Sequence, residues 1–137
     1  MLAPPSGEES TAEQEIPATA QYAEFEEGIV HVVMPESIMP SSLLVYKVYL
    51  LCPNKNTMKL VEMHKPQFHN LITDAHLGLR HEDLRDDTIK DTTKKMIVKE
   101  IVRKGNAILK RAQGNRDNKD VYIQDVLHEK FMMQDQG

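Results

Sequence analysis

The chain has no tryptophan, three phenylalanines, four tyrosines and a single cysteine in 137 residues. With so few aromatics the core must be aliphatic, helped by eight methionines, which fill irregular gaps and adaptable contacts. The lone Cys52 excludes an intrachain disulfide and a thiolate metal cluster. It fits a reducing compartment. Six glycines occur, with no glycine-rich phosphate loop among them. The longest apolar run, Leu43 to Cys52, is interrupted by Lys47 and falls short of the ~18–20 residues of a membrane helix. The opening MLAPPSGEES lacks the basic start and apolar stretch of a secretory signal, and the arginines of a mitochondrial presequence. The expectation is a soluble chain of the cytoplasm or nucleus, with no membrane contact and no cofactor.

Positive charge is also missing from the first 46 residues, which carry eight glutamates and no lysine or arginine. The other 91 residues hold all 17 basic side chains against 13 acidic ones. A net charge of −4 is therefore −8 in front and +4 behind. Such asymmetry hints at partners and carries no chemistry of its own.

The length suits one domain with a core. Residues 1–27 contain Pro4, Pro5 and Pro17 among Glu, Ser, Thr and Ala, and cannot bury enough apolar surface to offset ordering entropy. They read as an acidic arm, disordered or ordered by a partner, with Tyr22 and Phe25 as its anchors. Residues 28–137 read as a single α+β domain. Ile29 to Met34 is β-branched and stops at Pro35, which indicates a strand. Leu43 to Leu51 gives the strongest strand pattern. Pro53-Asn54-Lys55-Asn56 predicts a turn, and Thr57 to Met63 a return strand by alternation.

Beyond Pro66, Phe68, Leu71, Ile72, Ala75 and Leu79 recur at helical spacing and predict a helix over 67–79, ending near Gly78. A longer helix is predicted over 88–112, capped by Asp87 or Thr88 and ended by Gly114. A last amphipathic helix is predicted over 119–133. Three strands within 29–63 followed by three helices predict an antiparallel sheet with helices on one face.

The helix over 88–112 concentrates charge: residues 90–111 hold eight basic side chains against Asp91 and Glu100. On a helical wheel Ile97, Val98, Ile101, Val102, Gly105, Ile108, Leu109 and Ala112 fill an arc of roughly 140°. Lys95, Lys99, Arg103 and Lys110 form a stripe opposite. A stripe of this kind can track phosphates. No aromatic accompanies it to stack on bases, and no Cys/His finger exists. A solvated face or a protein-docking surface is the simpler reading, with RNA or other nucleic acid as the alternative. The opposite signs of arm and stripe also suggest that the arm folds back over this helix.

The histidines, six in all, invite a search for a metal site or a base. His69 and His76 are seven apart and share a helix side, yet the i,i+4 pair of helix-borne zinc ligands is absent. Cys52 sits between Leu51 and Pro53, where a structural thiol is expected. No serine lies in a Gly-x-Ser-x-Gly context. The acidic stretch Glu82 to Asp87 contains Arg85 and reads as charge at a helix N-terminus. The sequence therefore predicts no catalytic residues and no metal. It predicts a non-enzymatic subunit or adaptor that contacts proteins through Tyr22, Phe25, Phe131, Met132 and Met133, with homo-oligomerisation an open alternative.

Overall fold

A computed structural model describes residues 16–33, 42–114 and 118–135. Four strands and three helices form an α+β fold. They are β1 (Gln21–Glu24), β2 (Gly28–Val32), β3 (Ser42–Cys52), α1 (Lys55–Met63), α2 (Lys65–His76), α3 (Asp87–Gln113) and β4 (Asp125–Asp135). A 3-10 turn, His81–Leu84, precedes α3.

The sheet is antiparallel and built on β3. β1 and β2 lie end to end along one of its edges, with Tyr22 opposite Leu51 and Ile29 opposite Val45. β4 runs along the other edge, with Leu127 opposite Tyr49 and Met132 opposite Val45. Period-2 alternation sends Leu44, Tyr46, Val48, Leu50 and Cys52 of β3 into the core. There they meet Val61 of α1, Phe68 and Ile72 of α2, and Ile97, Ile101 and Leu109 of α3. The helices cover this face only.

Two elements differ in type from the sequence-based expectation, and β1 is a strand within the segment expected to be a disordered or partner-ordered arm. Residues 57–63 form α1, not a return strand. Asn54 is its N-cap: its side-chain oxygen accepts from the Thr57 backbone N–H at 2.9 Å and from the Thr57 hydroxyl at 3.1 Å. Thr57 and Val61, four apart, face the core, while Lys59 and Met63 are exposed. Pro66 then breaks the helical run, since a proline there cannot donate to Glu62 and its ring would crowd that carbonyl. α2 begins at once and ends near Gly78, whose φ is 80°.

Residues 125–135 form β4 where a helix over 119–133 was expected. A β-bulge between the Lys47–Lys130 and Val48–His128 pairs is the reason. The extra residue shifts the phase, so inward side chains fall at Val126, His128, Phe131 and Met133. Spacings of two, three and two mimic a helical stripe.

The long helix matches expectation closely. Asp86, one residue before the expected cap, accepts from the Ile89 N–H at 2.9 Å, and Gly114 at φ 61° ends it. The described part of the acidic arm, Ile16–Glu27, does not stand apart. Its strand β1 pairs with β3, the Phe25 N–H donates to the Val48 carbonyl at 3.3 Å, and the Phe25 ring is buried. It therefore lies on the sheet edge rather than over α3. Residues 1–15 fall outside the described residues.

A buried imidazole pair links α2 to β4. His76 Nδ1 lies 2.7 Å from the Ile72 carbonyl, so that nitrogen carries a proton and donates. In the neutral ring Nε2 is then an acceptor, and it lies 2.9 Å from His128 Nε2. His128 must donate through Nε2, which leaves its buried Nδ1 lone pair with no donor. Tyr46 stacks on His76 at 3.8 Å, and Phe131 packs against both imidazoles.

Burial holds His76 down to about 4. His128 is lowered by burial first, then by His76 and by Lys94 of α3. A second proton on His76, at Nε2, would set two N–H groups against each other across the contact.

Two outcomes follow from this packing. Unfolded histidine binds a proton near pH 6.5, above the folded values, so stability is complete above about 6.5 and falls as pH drops toward 4. His76 alone should remove about 2 kcal/mol by pH 5, measured by urea unfolding at pH 7.5 and 5. The second concerns Gly28, where a Cβ would run into the Tyr46 ring. That ring is held against His76, so Gly28→Ala should destabilise by about 1–3 kcal/mol in the same assay.

Candidate interaction surface on the open face of the sheet

The face of the sheet opposite the helices is covered by no described element. Alternation puts Ile29 and His31 on it from β2, with Val33 one residue beyond, Tyr22 and Glu24 from β1, and Leu43, Val45, Lys47, Tyr49 and Leu51 from β3. β4 adds Asp125, Leu127, Glu129, Lys130, Met132 and Gln134 around its bulge. Among the described residues, eight large apolar side chains are substantially exposed, and five of them (Tyr22, Ile29, Val33, Leu127 and Met132) are on this one face. Ile29 is the most open of the five, at 58%.

The face has three zones along the strands. One end is aliphatic: Ile29, Val45 and Met132 form a row across β2, β3 and β4. The other end holds Tyr22, Tyr49, Leu51 and Leu127, with the Tyr22 and Tyr49 rings edge to face at 6.2 Å. Between them runs a charged belt. Lys47 Nζ lies 2.7 Å from Glu24 Oε2 and 3.8 Å from Glu129 Oε1, and Lys130 Nζ lies 2.7 Å from Glu27 Oε1. The Tyr49 hydroxyl donates to Glu129 at 3.0 Å. The hydrogen bond from Lys47 lowers the Glu24 pKa and raises that of Lys47, and Glu129 raises that of Tyr49. Being exposed, these pairs orient side chains more than they add stability.

Of the five contact residues expected from sequence, Tyr22 and Met132 are on this face, at its opposite ends. Phe25, Phe131 and Met133 turn the other way. Phe25 and Phe131 belong to the core and Met133 packs against it. The Lys65 ammonium lies 5.1 Å from the centre of the Phe25 ring. Ile29, Val33 and Leu127 were not singled out. Alternation within the Ile29–Val33 run already required every second residue to face away from the core.

The basic stripe is where the helical wheel put it, and Lys95, Lys99, Arg103 and Lys110 are all exposed on α3. Two of them are locally matched: Lys95 to Asp91 at 3.5 Å and Arg103 to Glu100 at 3.1 Å. Lys104 also holds Glu100, at 2.7 Å, and the two cations lower its pKa. Lys99 and Lys110 have no ion pair among the described residues.

Among the described residues, the candidate reactive groups stand apart from one another. Burial pushes the Cys52 thiol up to about 12, far from a reactive thiolate. His69 is exposed and His76 buried, so these two histidines do not converge. Among the described residues no three His, Cys, Asp or Glu side chains gather around a metal-sized site. A shallow cavity of about 420 Å³ beside β1 and α1 is lined by Tyr22, Glu24, Glu26, Met58, Glu62 and Lys65. Its polar lining is three carboxylates, one tyrosine and one lysine. No described helix is long and apolar enough to cross a membrane.

No protein-family model matches the chain, and no curated protein matches its sequence.

Proposed function

We propose that the chain is a non-enzymatic subunit or adaptor that works by protein–protein contact through the open face of its sheet. The observation that carries this reading is the gathering, among the described residues, of five of eight exposed large apolar side chains on the face that no described element covers. An antiparallel sheet can leave one face to water, but such a face is then normally polar. Exposed apolar patches rimmed by polar residues, here one at each end of a charged belt, are the usual mark of a contact site. The buried thiol suits a reducing compartment, the cytoplasm or the nucleus.

The α3 stripe supports binding of nucleic acid less well. Two of its four cations are offset by carboxylates on the same helix, and no aromatic stands beside them.

Ile29→Glu separates the readings. At a site this exposed the substitution should change stability by no more than about 0.5 kcal/mol. The wild-type chain should capture proteins from native extract that survive nuclease treatment, and the variant should lose them. Capture that disappears with nuclease and persists in Ile29→Glu would defeat the proposal.

A further inference from the structure

Resting on that reading, we infer that the open sheet face takes a second copy of this chain, giving an isologous dimer packed sheet to sheet. Three features of the molecule favour this occupant.

The first is charge. The belt holds Glu24, Glu27 and Glu129 against Lys47 and Lys130, and both lysines are already paired within the chain. A strongly charged partner would find little to bind there. In a two-fold contact the same face meets itself, and a nearly balanced belt avoids a confrontation of like charges.

The second is the state of the sheet edges. β4 carries a bulge at its middle, and the opposite edge is split into four- and five-residue strands with Phe25 to Glu27 between them. Bulges and short edge strands work against edge-to-edge pairing. The face has no such protection.

The third is area. Strand rise and spacing give a three-strand face around the 11-residue β3 of roughly 500–600 Å². Stable interfaces bury about 600–1,000 Å² per partner, so the face falls at or just below the low end of that range. Two faces packed about 10 Å apart would bury the Ile29–Val45–Met132 row and the Tyr22–Leu127 end together.

The test is sedimentation velocity of the full chain over a concentration series near neutral pH. A reversible dimer is expected. Ile29→Glu and Met132→Lys should each raise its dissociation constant at least about tenfold. Met96→Glu should leave it unchanged, because Met96 is as exposed as any apolar side chain here but lies on α3. A dimer that survives both face substitutions overturns the inference. A chain that stays monomeric up to about 0.1 mM also overturns it, because the face is then bare, covered by residues of its own chain, or reserved for another protein. If that monomer still captures nuclease-resistant partners in an Ile29-dependent way, the docking face stands and only the second copy is lost. If it captures nothing, both readings fail.

Discussion

Backbone pairing along β3 is the constraint on which the other described elements depend. Its 11 residues bond to β1 and β2 on one side and to β4 on the other, so it satisfies its own polar backbone and the inner side of each neighbour's. Its inward side chains form the floor on which all three helices pack. The same strand is largely apolar on its other side: Val45 and Leu51 point away from the helices and are still buried. A strand apolar on both faces reads as an interior strand, yet the described residues cover one face. The open face is thus a consequence of how β3 is composed.

Polar side chains fix the path by which the distant β4 reaches that strand. Asn54 Nδ2 donates to the Asp120 carbonyl at 2.7 Å, and the Tyr122 N–H donates to Thr57 Oγ1 at 3.3 Å. Asn106 of α3 accepts from the Ile123 N–H at 2.6 Å. The Gln124 N–H then donates to the Leu51 carbonyl, and His76 closes the series on His128. Each contact fixes a position along 118–128, so the chain enters the sheet in one register. An apolar patch alone would permit slippage. The cost is one buried imidazole lone pair without a donor, tolerable because an acceptor left dry costs less than a buried charge.

The sequence was legible where a period ran long enough to override local ambiguity. β3 and α3 were readable for that reason, and α2 was readable from Phe68, Leu71 and Ile72 with Pro66 before them. The two misread elements were short or phase-shifted. In Thr57–Met63 both periods fit, and the deciding group was the Asn54 cap, which turn chemistry also claims. In β4 the bulge hid the alternation. The candidate face was harder to read, because it depends on strand phase. Tyr22 and Phe25 are three residues apart in the same acidic setting, yet one faces solvent and the other fills the core. Only pairing with β3 decides which.

Register also changes what the charge asymmetry means. Glu24 and Glu27 come from the segment without a single cation, and in space they lie against Lys47 and Lys130. Charge separated in sequence is interleaved on the sheet face. On α3 the surplus is reduced again by Asp91 and Glu100. The clearest imbalance on the sheet face is therefore of hydrophobicity: apolar ends flank a matched belt. Burying the ends is favourable at roughly 25 cal/mol per Å², while burying the belt removes five charges from water and returns little beyond the pairs they already make. The two effects oppose each other on one surface. A contact made there is held by its ends and weakened by its middle, which favours reversible association over an obligate, core-like interface.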